Sequence, residues 1–504
     1  MSDAYYSPCP APFNLAQYVL CNAGADPSKS ALEVLGEAQE HWSFGALENA
    51  VRGVATGLFE SGLKPGDIVM LRLGNTPDFP IAYLGAIAAG MIACPTSSAL
   101  NAREITKMAA TIRPSAVLLD DAIAAPDILS SLTIPLTDLR SMYDLPSLAW
   151  HMSDPERAAY MVFTSGTSGT PRAVVHAHRA IWARKMMLRD WSAITSNDRM
   201  LHAGAFNWTY TLGTGLMDPW SVGATALIPQ DGTSIDRFGE LIADHKASIF
   251  AAAPGVYRKM LKQDLPKFTH LRHVLSAGEK MAPSLHESWE RATGTNVYEA
   301  FGMSECSTFI SSNPDKPAPV TALGKPQRGR RVSLRNKEDN EVQRGQVGEI
   351  SIHRSDPGLM LGYFNLETGT HTDIDDDWFQ TGDLGHEDTA GMIHYDGRND
   401  DMLNAGGFRV SPLEIEAAFH TVDTLTHCAA IEIRLKADTS VIALCYCASN
   451  VVHESTLHAL ATDMLARYKR PRIYHQCDTL PLSANGKLLR RVLRSQIEAL
   501  YGQA

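Results

Sequence analysis

The chain has 504 residues, too many for one hydrophobic core, so two or more domains are expected. Hydrophobic residues make up 44% and charged residues 20%, ordinary for a globular enzyme. The net charge of −11 is spread widely, which excludes a nucleic-acid-binding surface and a patch for acidic membranes.

None of the eight cysteines forms a CxxC pair or a metal-site rhythm. The N-terminus reads as lacking a signal peptide, so reduced thiols in the cytoplasm are expected. The longest uncharged apolar stretch, Ile81 to Cys94, is too short to span a bilayer and reads as a buried helix.

In chain order, residues 1 to about 40 read as an irregular lead-in with a short helical piece near Leu15 to Leu20. Ser43 is placed to cap a helix carrying the stripe Leu47, Val51, Val54 and Leu58. Strand Asp67 to Leu73, helix Ile81 to Gly90, strand Met91 to Cys94 and strand Val117 to Leu119 follow. This alternation implies βα units and a mostly parallel sheet. Strands are expected again at Thr225 to Ile228, Ser248 to Ala252, His273 to Leu275 and Asn296 to Tyr298. From about residue 320, short strands such as Val347 to His353, Trp378 to Gln380 and Met392 to Tyr395 suggest an antiparallel β subdomain. Asp396-Gly397 signals a turn, and Ser411-Pro412-Leu413-Glu414 has the form of a helix start. The domain boundary is placed there, giving residues 1–398 and 399–504. An amphipathic helix with Leu489, Val492, Leu493, Ile497 and Leu500 on one face ends the chain.

Four polar islands interrupt this pattern. The first follows the apolar run Tyr160 to Phe163: Thr164, Ser165, Gly166, Thr167, Ser168 and Gly169, then Pro171 and Arg172. Glycines let backbone approach a ligand, hydroxyls and N–H groups can line an anionic concavity, and Arg172 adds charge. The segment suits a polyphosphate and equally a surface linker, and it is not a Walker A loop. The second island, Tyr298 to Glu305, reads as a strand end, a Gly turn, and a hydroxyl and carboxylate at Ser304 and Glu305. A carboxylate beside a phosphate loop suits Mg2+, which keeps most of its waters. The third is Thr381-Gly382-Asp383, with Arg398 fifteen residues on; a carboxylate after a tight turn can hold a sugar diol. The fourth, Ser483 to Arg490, carries Lys487 after a Gly turn. Each alone also suits a turn with a solvated side chain.

In this order and spacing the islands resemble the adenylate-forming superfamily of acyl-CoA synthetases, peptide-synthetase adenylation domains and luciferases, over residues 40 to 495. Thr164 to Arg172 matches its phosphate-loop signature, with Arg172 where lysine is usual. Phe301 to Glu305, Trp378 to Asp383, Gly397 to Glu416 and Pro481 to Lys487 match its other blocks. The resemblance implies a large N-terminal domain of layered α/β sheets with a β subdomain, and a small mobile C-terminal α+β domain. It implies that Thr164 to Gly169 hold the β- and γ-phosphates of ATP, that Ser304 meets the α-phosphate, and that Glu305 binds Mg2+. Gly278, Glu279, Tyr298, Glu299, Ala300 and Phe301 would frame adenine and the acyl carboxylate. Asp383 would hold the ribose, helped by Arg398. Asp400 would be the hinge, Lys487 the catalytic lysine, and Gly406 and Gly407 would face the pantetheine arm of CoA.

The implied activity is an AMP-forming acid–thiol ligase. It activates a carboxylic acid as acyl-AMP, releases pyrophosphate and transfers the acyl group to CoA. Phe206, Asn207, Trp208 and Tyr210, with Gly302 and Met303, would line an acyl pocket for a small aryl or short-chain acid, nearest the benzoate-CoA ligase branch. These aromatics equally suit core packing. The alternatives are a stand-alone adenylating enzyme loading a separate carrier protein, and a non-catalytic adenylate-binding relative. A homodimer is the default expectation. Ile431 to Thr439 departs from the family pattern, replacing a longer Gly/Asp-containing loop.

Overall fold

The structure, a computed structural model, describes residues 7–501 apart from 37–39, 129–130, 166–170, 279, 282, 399–402, 406–407, 411, 420–421, 423, 437–438, 451, 482–487 and 489. Helix Phe44–Glu60 begins where the Ser43 hydroxyl accepts from Ala46 N at 3.1 Å, satisfying a donor that the first turn leaves open. Its stripe of Leu47, Val51, Val54 and Leu58 is fully buried, each side chain contributing about 1.5–3 kcal/mol relative to exposure. It packs on helix Asp78–Ala88, every residue of which is buried, as the apolar run predicted. Gly85 permits the close approach, since a Cβ there would lie 2.6 Å from Val54 Cγ1.

One sheet has eight strands. Ile92–Pro95, Ile68–Arg72, Ala116–Leu119 and Leu132–Pro135 run parallel in that order. On the other flank lie the hairpin Ala158–Ser165 and Pro171–Ala177, then Gly362–Asn365 and Thr370–Thr372. A second sheet has 13 strands. Ser30–Leu35, Thr225–Pro229, Arg199–His202, Ile249–Ala252, His273–Ala277 and Val297–Met303 are parallel neighbours. From Ser307–Ser311 onward the added strands are antiparallel. The smaller C-terminal domain has the sheet Leu425–Lys436, Thr439–Ala448 and Ile473–Gln476 with helices Pro412–Phe419, Glu454–Met464 and Arg490–Tyr501. Two apolar clusters form wholly from residues after 402.

Several expectations are corrected. Ser30–Leu35 is a strand of the larger sheet, not part of an irregular lead-in; its partner, with Leu32 opposite Ala226, comes from a distant part of the chain. The β-rich region is antiparallel as expected, and it is hydrogen-bonded to the parallel strands in one sheet. Asp396-Gly397 is no turn: Ile393–Arg398 is a strand with Gly397 opposite Leu384, so ladder pairing overrides the local signal. Likewise Gly382, at φ +77, is a kink within strand Trp378–Glu387 and not a turn before Asp383. Of the segment Ile431 to Thr439, Ile431 to Lys436 end one strand of a long antiparallel pair, with Ile431 opposite Ala443, and Thr439 begins the other. In the last helix Leu493 and Ile497 are buried, but Val492 and Leu500 are exposed because only a narrow stripe meets the sheet; Leu489 lies outside the described residues. Among the described residues no helix is long and apolar enough to cross a membrane.

Candidate active site

A cavity of about 540 Å³ lies where the two sheets and the C-terminal domain meet. Its phosphate-side wall is the hairpin, in which Thr164 pairs with Arg172 and Ser165 with Pro171. Thr164, Ser165 and Arg172 thus lie on the strands of this hairpin, and Gly166, Thr167, Ser168 and Gly169 lie outside the described residues. The Arg172 guanidinium carbon lies 3.3 Å from the centroid of the Tyr363 ring. Tyr363 in turn donates to Glu305 Oε1 at 2.9 Å. A planar guanidinium can stack in this way and an ammonium cannot, which gives arginine a reason to stand here.

Ser304 and Glu305 occupy the turn that joins Val297–Met303 to Ser307–Ser311, where Met303 faces Ser307. Gly302 is the last residue that lets these strands close, since a Cβ would meet Ser307 O at 2.2 Å. Met303 and Gly302 line the cavity. Glu305 is 6% exposed, and its Oε2 has no hydrogen-bond partner among the described residues. Such a bare buried carboxylate oxygen is costly unless a ligand or ion meets it. Among the described residues no cluster of three or more His, Cys, Asp or Glu could hold a metal. One carboxylate in a cavity also lined by Ser304 and Thr164 fits Mg2+, which takes few protein ligands.

The nucleotide side is reached only in part as expected. Gly278, at φ +96 after strand His273–Ala277, lines the cavity; Glu279 lies outside the described residues. The side chains of Tyr298 and Ala300 pack into an apolar cluster with Trp191 and Leu275. Glu299 accepts from Lys280 Nζ and from Met281 N at 2.7 Å, and burial pushes its carboxyl up against the pull of Lys280. Phe301 packs edge-on to Phe309. The strand therefore meets the cavity from Gly302, not from Tyr298. Asp383 is buried, accepts from the Tyr395 hydroxyl at 3.1 Å and sits opposite Arg398 in the ladder. The neighbouring Gln380, Thr381 and Gly382 line the cavity. Glu349, which sequence reasoning missed, also lines it and accepts from Gly382 N at 2.7 Å.

Asn207, Trp208 and Tyr210 line the cavity, whereas Phe206 is 1% exposed in the core against Phe79. The C-terminal domain closes the far side. Phe408 stacks between Trp208, with centroids 5.6 Å apart, and Tyr468, at 4.2 Å. Lys469 pairs with Glu414 at 2.7 Å and with Glu104 at 3.4 Å. Burial alone would lower its pKa; Tyr468, Glu414 and Glu104 outweigh it, and the ammonium stays charged. Glu104 also accepts from Ala466 N at 3.1 Å, so the N-terminus of helix Ala102–Ile112 docks the C-terminal domain. No sequence signal singled out Lys469, which sits in a basic run resembling a solvated face. Asp400, Gly406, Gly407 and Lys487 lie outside the described residues.

Comparison with known proteins agrees with this geometry. The family model described as AMP-binding enzyme matches residues 21–364. A 3-hydroxybenzoate–CoA ligase of Aromatoleum sp. (strain CIB) is 27% identical over 91% of this chain and 92% of its own. An uncharacterized acyl–CoA ligase of Bacillus subtilis, YtcI, is 26% identical over 92% of each chain. The structure of o-succinylbenzoate CoA synthetase from Bacillus subtilis superimposes with a TM-score of 0.82 at 22% identity, covering 95% of this chain and 98% of that one. With that family model matching residues 21–364, more than half of its length, the chain belongs to the AMP-binding enzyme family.

Proposed function

We propose that the protein is an ATP-dependent carboxylic acid–CoA ligase acting on a small aryl or short-chain acid. The observation that carries this reading is one cavity joining Thr164, Arg172, Ser304 and the bare Glu305 oxygen to Phe408 of the C-terminal domain. Relatives named as CoA ligases along nearly the full chain support CoA, rather than a carrier protein, as acceptor.

In the first half-reaction a carboxylate oxygen of the acid bonds to the α-phosphorus of ATP, and the bond to the bridging oxygen breaks as pyrophosphate leaves. Two anions must meet, so positioning and charge neutralisation do most of the work. Thr164 and the hairpin tip to Gly169 hold the β- and γ-phosphates, Ser304 the α-phosphate, and Asp383 with Arg398 the ribose. Glu305 would hold Mg2+, whose charge would there offset that of the departing pyrophosphate. Lys487 bridges the carboxylate and α-phosphate. In the second half-reaction the sulfur of CoA attacks the acyl carbon and the bond to AMP breaks. The hairpin Leu403–Ala405 with Phe408–Val410 faces the cleft in this structure, an arrangement we assign to the second step. The C-terminal domain, residues 399–504, would turn about Asp400 to exchange it for Lys487. A cytoplasmic location and a homodimer complete the proposal, and sedimentation tests the latter.

The test is pyrophosphate release over a panel of carboxylic acids, with and without CoA. Release without any acyl-CoA product would favour a carrier protein as acceptor, and release with none of the acids would sink the ligase reading. Lys487→Ala should abolish adenylation yet spare thioester formation from supplied acyl adenylate.

A further inference from the structure

A side cavity of about 30 Å³, here called the branch, adjoins the main one and shares Val162, Thr209, Ser304 and Ser307 with it as walls. Ser304 is where the acid's carboxylate meets the α-phosphate in the proposed reaction, so the branch receives the part of the acid that points inward. Its floor is charged. Arg184 donates from Nε and Nη2 to the two oxygens of Asp218, both at 2.7 Å, and both residues are buried. Nη2 also donates to Thr214 Oγ1 at 3.1 Å, and Nη1 to Ser307 Oγ at 2.6 Å. A guanidinium has five N–H donors, so one on Nη1 remains without an acceptor among the described residues. Ser307 Oγ, already an acceptor, has its own proton to give. His176, in the wall of the same branch, donates from Nε2 to the Ser304 carbonyl at 2.7 Å; a carbonyl only accepts, so Nδ1 is the bare acceptor, and it has no partner among the described residues. Gly213 is part of this construction, because a Cβ there would lie 2.5 Å from the Arg184 guanidinium carbon.

We propose that the acid activated here carries a neutral hydrogen-bonding substituent, a hydroxyl in the simplest case, which enters the branch and is held by Ser307 and the Arg184–Asp218 pair. The inference rests on the ligase reading and narrows its substrate class. The branch volume admits one or two heavy atoms, not a ring. A hydroxyl both donates and accepts, which matches the spare donors and the bare acceptor. A second carboxylate does not fit, because Asp218 already neutralises Arg184 and a further buried anion would be uncompensated.

The experiment measures kcat/KM for pyrophosphate release with benzoate and its three monohydroxy isomers, with propionate and 3-hydroxypropionate, and with malonate. At least one hydroxy acid should exceed its parent by about tenfold or more, with malonate inactive. Ser307→Ala should shrink that ratio by about tenfold. Single loss of Arg184 risks misfolding, so the paired change Arg184→Met with Asp218→Leu, which leaves no lone buried charge, is the second variant and should also erase the ratio. Parents that equal or outperform every hydroxy acid would overturn the inference and leave the ligase reading standing, the branch then holding only water. Malonate as the best substrate, or an unchanged ratio in both variants, would overturn it as well. No release with any acid would refute the ligase reading itself.

Discussion

Replacing Glu104 by glutamine should separate the two half-reactions. Glu104 Oε1 meets Lys469 Nζ at 3.4 Å and Ala466 N at 3.1 Å, while its Oε2 accepts from Asn101 N at 3.2 Å. Both ionic side chains are 9% exposed. At an effective dielectric of about 20, the charge attraction across that distance is about 5 kcal/mol. Glu414 remains on Lys469 at 2.7 Å and desolvation opposes the gain, so the net charge term is about 1 kcal/mol. Glutamine has one carbonyl oxygen where the carboxylate has two, so it cannot accept from both Ala466 N and Asn101 N, and the lost hydrogen bond adds about 1 kcal/mol. A total of about 2 kcal/mol lowers the population of the docked arrangement about thirtyfold. Single-turnover assays read the result: pyrophosphate release from ATP and acid, and thioester formation from supplied acyl adenylate and CoA. Adenylation should stay within about twofold and thioester formation should fall by about tenfold or more. Equal losses in both steps, or none in either, would refute the assignment of this arrangement to the second step.

Glu305→Gln should cut adenylation by about a hundredfold or more and raise the Mg2+ concentration at half-maximal rate; an unchanged Mg2+ dependence would remove Glu305 from the metal site. Arg172→Lys loses the stack on Tyr363, about 1–2 kcal/mol, so KM for ATP should rise about 5- to 30-fold with a smaller change in kcat. Burial holds four histidines neutral, with pKa values lowered to about 4 for His176, about 2 for His178, about 3 for His202 and about 4 for His273. Unfolding returns each to its ordinary value of 6.5, so their contribution is complete above pH 6.5 and is lost as pH falls towards the folded values. The loss is about 2 kcal/mol per histidine at pH 5, and the urea midpoint should drop clearly between pH 7.5 and 5; a flat midpoint would contradict it.

What the sequence made legible was whatever is decided locally. Ser43 caps its helix through a residue three places on, and the stripe it starts is buried as the period demands. Ser304 and Glu305 were legible because a hydroxyl and a carboxylate follow an apolar strand directly. Ser30–Leu35 was not, because its neighbour Thr225–Pro229 arrives from elsewhere in the chain. The resemblance places Tyr298 to Phe301 around adenine and the acyl carboxylate, whereas the side chains of Tyr298 and Ala300 pack beside Trp191 and Leu275, Glu299 pairs with Lys280, and Phe301 packs on Phe309. Arg184, Asp218 and Lys469 gave no sign, since a charge reads as solvated until the fold supplies its buried counter-ion.

Strand Val297–Met303 is both the last of the parallel ladder and the first of the antiparallel one. The two ladders therefore share one backbone, with a register shift between Phe301 and Gly302 on the antiparallel side, next to the residues that line the cavity. Slow amide exchange should run uninterrupted across this strand and its neighbours, while the contacts of Glu104 and Trp208 with the C-terminal domain exchange sooner. In the proposed cycle the enzyme would meet its changing substrates as a fixed anvil with a moving hammer: the rearrangement would belong to the domain that carries Phe408, and the ring of Trp208 would be the surface it strikes.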